Sequence, residues 1–390
     1  MNNFVYNIPV KVYFGENQLQ HLGEELSKFG KRVLLTYGGG SIKRTGLYDA
    51  VVAQIAAAGM ELFELSGIEP NPRIDSVRRG AQMCKEHDID VLLAVGGGST
   101  IDATKFMAAG AKVNHDPWDF FNDKQAPIVE ALPIISVLTL SATGSEMDAG
   151  GVISNPETND KIGRVVTPTL LPKVSFLDPT VTYTVSPYQT ACGAADMLSH
   201  ICEVYFNMNQ DLYMLDCFME GMMKTIIKYA PIAMRDPENY EARANLMWTS
   251  SWAINGFING GKRQAWSCHP MEHEVSAYYD ITHGLGLAIL TPRWMEYCLS
   301  EKTVSKYVQY GVNVFGIDAA QPAMDIARQA IDKTRQFLFD TLQLKSSFTE
   351  LGIGDENIPT MVRKACGGGV LQGFVPLDQQ AIETIFRNCL

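Results

Sequence analysis

Two six-residue runs, Arg32-Val33-Leu34-Leu35-Thr36-Tyr37 and Asp90-Val91-Leu92-Leu93-Ala94-Val95, stop at the same string: Gly38-Gly39-Gly40-Ser41 in one case and Gly96-Gly97-Gly98-Ser99 in the other. Neither run alternates strictly between apolar and polar residues, which is the pattern of strands buried on both faces. Helical spacing lies between them, at about 47–58 and again over 73–87, where Ile74, Val77, Ala81 and Cys84 recur on one side. Residues 61–65 and 133–138 read as two further strands. Strand alternating with helix predicts an α/β layer around a mostly parallel sheet.

The pattern changes near Leu177-Asp178-Pro179. Beyond Ser186-Pro187 no segment reads as a strand, and helical patterns cover 189–206, 212–229 and 240–254. Ser186 before Pro187 has the chemistry of a helix start. The expected organisation is an α/β nucleotide-binding domain over 1–185 and an all-helical domain over 186–390. A chain of 390 residues needs such a division, because single cores stop growing at roughly 250–300 residues. With 46% hydrophobic residues the chain is not disordered. The 32 basic and 43 acidic residues leave a net charge of -11, which disfavours nucleic acid and anionic membrane as partners. No apolar stretch approaches the ~18 residues of a membrane span. The eight cysteines include no C-x-x-C pair, and the amino terminus has no basic segment leading into an apolar run. Both point to reduced thiols in the cytoplasm.

Glycine-rich turns after strands let a ligand approach the backbone, and the free N–H groups of a following helix attract phosphate. The pyrophosphate of a nucleotide cofactor is the natural occupant, although the spacing is not G-x-G-x-x-G. Ser99 is expected to cap the helix after the second turn, with Asp102 as the capping-box acid. The segment Thr139-Leu140-Ser141-Ala142-Thr143-Gly144-Ser145-Glu146 follows the fourth strand. Its hydroxyls suit a crevice at the carboxyl edge of a sheet, or a helix cap made by Thr143 or Ser145. Lys161, expected in a loop, is a further cation within possible reach of a phosphate.

Four of the seven histidines, His200, His269, His273 and His283, fall in one stretch. Asp196 and His200 are four apart on an expected helix and share a face, and His269 and His273 repeat the spacing. Imidazole nitrogens and a carboxylate suit a divalent ion such as zinc or ferrous iron, with cobalt or nickel also accommodated. There are five candidates for a four-ligand site, and spacing alone does not pick out the extra one. A metal in one domain and a nucleotide in the other imply hydride chemistry in a cleft between them. Trp248, Phe257 and Trp266 read as core residues rather than as walls of a substrate pocket.

Several longer motifs carry a resemblance. They are Tyr37-Gly38-Gly39-Gly40-Ser41-Ile42-Lys43-Arg44, Glu69-Pro70-Asn71-Pro72, Gly96-Gly97-Gly98-Ser99-Thr100-Ile101-Asp102, Leu140 to Asp148, Trp266 to Glu274, and Tyr279-Asp280-Ile281-Thr282-His283-Gly284. Almost end to end the chain resembles the iron-containing (group III) alcohol dehydrogenases, in the branch of butanol dehydrogenases and broad aldehyde reductases. The resemblance implies the dehydroquinate synthase-like fold of that family and NAD(P)-dependent interconversion of short primary alcohols, such as 1-butanol, with their aldehydes. It implies metal ligation by Asp196, His200, His269 and His283, and makes His273 a catalytic residue facing substrate and nicotinamide. Gly39, Ser41 and Asn71 would lie at the adenosine end of NADH or NADPH. Gly97, Gly98, Ser99 and Asp102 would lie around the pyrophosphate, with Thr139, Asp148, Lys161 and Val181 along the rest of the groove. Ser41, Lys43 and Arg44 offer a hydroxyl and cations to a 2′-phosphate, so NADPH should be tolerated. A homodimer joined through the amino-terminal domain is also implied. The alternatives within this fold are a dehydroquinate synthase-like lyase, a glycerol dehydrogenase-like enzyme and a non-catalytic binding protein. The lyase needs a cationic cluster beside the metal, and between Asn255 and His283 the chain offers only Lys262 and Arg263.

Overall fold

The computed structural model of the chain describes all residues except 1, 123, 164, 165, 209–211, 263 and 264, so Arg263 lies outside the described residues. The chain forms two compact units. One comprises 7–185 and 237–255; the other comprises the stretch up to Tyr6 together with 186–236 and 256–390.

The first unit is built on a six-stranded sheet. Its strands are β1 (Lys11–Phe14), β2 (Arg32–Tyr37), β3 (Glu61–Leu65), β4 (Val91–Gly96), β5 (Ile134–Leu138) and β8 (Val174–Leu177). They are ordered β1-β8-β5-β4-β2-β3, and every pairing is parallel. Helices α1 (Leu22–Ser27) and α3 (Leu47–Ala57) supply Leu22, Leu26, Val51 and Ile55 to one face, against Val33, Leu35, Val91 and Leu93. Helices α4 (Ile74–Glu86) and α5 (Gly98–Gly110) supply Val77, Cys84, Phe106 and Met107 to the other, against Leu34 and Leu92. Consecutive strand residues therefore enter two different cores, which is why the runs are apolar without alternation.

The order places the two glycine strings where a ligand crevice is expected. After β2 the chain moves outward to β3, and after β4 it moves the other way to β5. The carboxyl ends of β2 and β4 thus flank the point at which the winding reverses. Thr139 follows β5 and donates its N–H to Gly96 O at 3.0 Å. Gly40 adopts φ 88°, a conformation that favours glycine, just before the short helix α2 (Ser41–Arg44).

Three expectations need correction. The first concerns 240–254, which the sequence pattern places in the helical domain. Helix α8 (Tyr240–Trp252) belongs to the α/β unit. Met247 packs with Ala94, Ile101, Leu138 and Leu177, and Ser251 Oγ donates to Glu146. Its helical period is the same whichever unit buries it. The second concerns Ser99, which lies inside α5, where Gly97 occupies the capping position. Asp102 makes no capping box; its carboxylate accepts from Ser145 Oγ at 2.5 Å and Val152 N at 2.8 Å. The third concerns Lys161, which is buried on β7 (Asp160–Ile162) of a two-stranded hairpin with β6 (Ile153–Asn155), not in a loop.

The second unit is helical: α6 (Pro187–Tyr205), α7 (Tyr213–Arg235), α9 (Cys268–Tyr279), α10 (His283–Cys298), α11 (Val304–Phe315), α12 (Ala323–Arg335), α13 (Ile358–Ala365) and α14 (Gln379–Asn388). Ser186 starts α6 as its sequence implies, with its hydroxyl accepting from Gln189 N at 3.2 Å. From Thr190 to Tyr205 every residue of α6 is buried, so its acidic and imidazole side chains are desolvated. The start of α10 lies so close to α6 that any side chain at Gly284 would meet the Cys192 carbonyl. No helix among the described residues is long and apolar enough to cross a membrane.

Candidate metal centre

Asp196, His200 and Glu203 occupy positions i, i+4 and i+7 of α6 and share its buried face. His269, Glu272 and His273 come from α9, and His283 opens α10. Ligand atoms of Asp196, His200 and His269 lie within 4.8 Å of one another. Asp196 Oδ1 is 3.1 Å from His200 Nδ1 and 3.8 Å from Nε2 of both His269 and His283.

Each of these three imidazoles commits one nitrogen to the protein. His200 Nδ1 bonds the Asp196 carbonyl at 3.0 Å. His269 Nδ1 bonds Glu203, and His283 Nδ1 bonds Glu272. On each ring Nε2 is then the candidate ligand atom. Asp196 Oδ1 and His269 Nε2 are buried and satisfy no hydrogen-bond geometry. Such orphaned polar atoms cost free energy unless an ion or ligand fills the gap. A divalent ion does so: ligands about 2.1 Å from one ion can stand 3.8 Å apart. The residues therefore fit a metal. A second grouping, Glu272 with His273 and His283, also comes within 4.8 Å. There Glu272 is already engaged by His283 and Ser276, which marks it as a support for the ring rather than a ligand.

The electrostatics agree. Burial acts to raise the Asp196 carboxyl, but His200, His269 and His283 hold it well below the usual carboxylate range. Burial acts to lower His269, yet the Glu203 and Asp196 carboxylates bring it up to about 9. The site is an anionic pocket that attracts cations, whether protons or metal.

His273 stands one turn beyond His269 on α9, with ring centroids 6.4 Å from His269 and 5.7 Å from His283. It is more exposed than His269, although its Nε2 is itself buried. Trp266, read from sequence as core, meets His200 and His269 edge-on at 5.6 and 4.9 Å. Sequence reasoning also missed Glu203 and Glu272. The i+7 spacing from Asp196 could have found the first. Lys262, one of the two cations weighed for the lyase alternative, is turned to Val204 O at 3.1 Å and Met219 Sδ at 3.6 Å.

In the α/β unit the expected cofactor residues gather on the sheet's carboxyl edge. Gly39 and Ser41 follow β2, Gly97, Gly98 and Ser99 follow β4, and Thr139 follows β5. Gly98 is pressed against the Thr143 side chain, leaving no room for a larger residue. Asn71 takes a left-handed φ of 52°. Asp148 uses its carboxylate to accept from Gly150 N at 3.0 Å. Asp102 is committed to Ser145 and Val152, so its carboxylate ties α5 to the segments that carry them. Val181 packs against the core beside Phe176 and Tyr13.

Comparison with known proteins gives one answer over the whole length. A family model described as iron-containing alcohol dehydrogenase matches 9–179. A second, the Fe-containing alcohol dehydrogenase family C-terminal model, matches 190–390. The chain is 50% identical to NADH-dependent butanol dehydrogenase A of Clostridium acetobutylicum, covering 100% of both. It is 38% identical to the NADPH-dependent aldehyde reductase YqhD of Escherichia coli, covering 95% of each. The crystal structure of NADH-dependent butanol dehydrogenase A from Thermotoga maritima superposes with a TM-score of 0.95 at 37% identity, covering 100% of this chain and 99% of that one.

Proposed function

The chain belongs to the iron-containing alcohol dehydrogenase family, and from that premise we propose that it reduces short aldehydes such as butyraldehyde to primary alcohols, and catalyses the reverse, using NADH or NADPH and one divalent metal ion. The observation that carries this reading is the set of three imidazoles, each with Nδ1 held by the protein, around the orphaned Asp196 Oδ1. Asp196, His200, His269 and His283 would hold the ion. When bound, the metal supplies a positive charge that polarises a carbonyl oxygen, and the reduced nicotinamide supplies a hydride.

This chain's residues do the rest. The N–H groups at the start of α5 and the glycine turns after β2 and β4 bind cofactor phosphates and ribose. Ser41 and Lys43 supply a hydroxyl and a cation for the 2′-phosphate of NADPH, so both cofactors are accepted. Asn71, Thr139, Asp148, Lys161 and Val181 complete the groove, as the family resemblance implies. Asp102 contributes by holding the loop of Ser145 and Val152 in place. His273 orients the substrate and delivers the proton that the product alcohol oxygen needs. Trp266 buttresses His200 and His269.

The reading extends to a cytoplasmic homodimer. The eight cysteines are free thiols, as in a reducing compartment. β1 is an edge strand of the sheet and offers a pairing surface in the amino-terminal unit. Light scattering at the mass of two chains tests the dimer. The activity is tested by aldehyde-dependent loss of NADH and NADPH absorbance with and without a chelator. Oxidation of both cofactors that stops on metal removal is expected. No metal-dependent turnover with any aldehyde or alcohol would refute the reading.

A further inference from the structure

The two carboxylates behind the metal ligands grip their histidines in chemically different ways. Glu203 Oε2 accepts two short backbone bonds at the start of α9, from Ser267 N at 2.5 Å and Cys268 N at 2.7 Å. Its Oε1 accepts from His269 Nδ1, and only weakly from His269 N at 3.3 Å and Ser199 Oγ at 3.5 Å. Every partner of Glu203 can donate, so the residue acts purely as an acceptor. Glu272 Oε2 likewise takes His283 Nδ1. Its Oε1 faces Ser276 Oγ, which also reaches Ile281 O at 3.3 Å. A hydroxyl can donate or accept, so this second contact tolerates either polarity. Both carboxylates are buried, Glu203 with 5% and Glu272 with 0% exposure.

We propose that Glu203 and Glu272 are positioning residues that set which ring nitrogen of His269 and His283 carries the proton, and that only Glu203 requires a full carboxylate to do so. This rests on the metal reading above. With Nδ1–H held by a carboxylate, Nε2 keeps its lone pair for the ion. A glutamine at 203 breaks that arrangement. Its single oxygen must face the two short backbone N–H groups, because an NH2 there would meet two donors. The NH2 then points at His269 Nδ1, which must accept, and the ring proton moves to Nε2. The ligand lone pair is lost while the backbone bonds that start α9 survive. A glutamine at 272 has a better choice. Its oxygen takes His283 Nδ1–H, and its NH2 donates to Ser276 Oγ as the hydroxyl turns toward Ile281 O. Nε2 of His283 keeps its lone pair.

The test is cobalt(II) binding by full-length, metal-stripped protein, read by visible absorption and by affinity. Wild type, Glu203→Gln, Glu203→Ala, Glu272→Gln and Glu272→Ala are compared, with circular dichroism as the check on folding. The expected result is an affinity loss of about 10–100-fold or more for both alanine variants and for Glu203→Gln. Glu272→Gln is expected to recover the wild-type spectrum and an affinity within about threefold. Folded Glu203→Gln with wild-type affinity would overturn the assignment, as would Glu272→Gln as weak as Glu272→Ala. Wild-type protein that takes up no cobalt would sink the metal reading itself and this assignment with it. Wild type with one cobalt and a wild-type-like Glu203→Gln would sink the assignment alone.

Discussion

The two units each bury a cluster of charged side chains, and the clusters differ in how completely they are satisfied. In the α/β unit, Lys105 is fully buried and donates to Ser145 Oγ at 2.9 Å, Asp148 O at 2.9 Å and Gly150 O at 2.7 Å. Those are three acceptors for three protons. Asp102 accepts from Ser145 Oγ and Val152 N within the same network. In the helical unit, Asp196 Oδ1 and His269 Nε2 face one another at 3.8 Å with no hydrogen bond. A closed network holds a loop, whereas an open one is completed by a ligand. Glu146 beside Lys105 also keeps one buried oxygen, Oε2, without a hydrogen bond, so the sharper difference is that in the helical unit two orphaned atoms face each other 3.8 Å apart, as candidate ligands of one ion would.

The largest expected effect breaks the open cluster. His269→Ala should lose bound metal and lower kcat/KM by about 10³-fold or more, with cofactor binding kept. Metal analysis and cofactor fluorescence titration check it. Breaking the closed cluster should do the reverse. Lys105→Met leaves Asp102 and two carbonyls without their cation and should cost about 3–5 kcal/mol in urea unfolding. The protein that remains folded should still carry its metal. If Lys105→Met instead lost metal at unchanged stability, the contrast would fail.

Much of this was legible in the sequence, and the rest was hidden for identifiable reasons. The strands β2 and β4 and their glycine turns could be read because two-sided burial demands runs such as Val33-Leu34-Leu35, and tight turns demand glycine. The start of α6 could be read from Ser186-Pro187. Helix α8 could not be assigned to its unit, because period 3.6 reports that a face is buried and not what buries it; Met247 and Ser251 find their partners about a hundred residues away. Asp102 sat at capping-box spacing, yet Gly97 took the cap, and the aspartate turned to Ser145 and Val152 instead. The five metal-site candidates were visible as types. What spacing could not show was that His269 and His283 each have a carboxylate at Nδ1, because Glu203 reaches His269 across 66 residues and Glu272 reaches His283 across 11.

Two smaller effects sharpen the contrast. His273→Ala should keep the metal and lower kcat by about 10²-fold, as expected for loss of a proton-handling group. Loss of metal in that variant would place His273 among the ligands. The last test compares the buried Lys105 with a half-buried lysine. Among the described residues, Lys262 of the helical unit donates to a carbonyl and a thioether, unlike Lys105, and burial lowers its pKa from 10.5 to about 7. A lysine whose folded pKa is depressed binds fewer protons folded than unfolded between those values, so its destabilising effect is full below about pH 7 and fades toward pH 10. Lys262→Met should therefore gain stability relative to wild type at pH 7, with the gain shrinking by about 1–2 kcal/mol by pH 10. Parallel unfolding curves for the two proteins across that range would contradict it.

The central claim is that the open cluster holds the metal on which the reaction depends. It is tested most directly by metal analysis of anaerobically purified protein, followed by chelation and re-addition, with butyraldehyde-dependent oxidation of NADH and NADPH measured at each stage. The account predicts close to one divalent ion per chain, activity lost on chelation, and activity restored by a ferrous or zinc salt. Undiminished aldehyde reduction by the metal-free protein would contradict it.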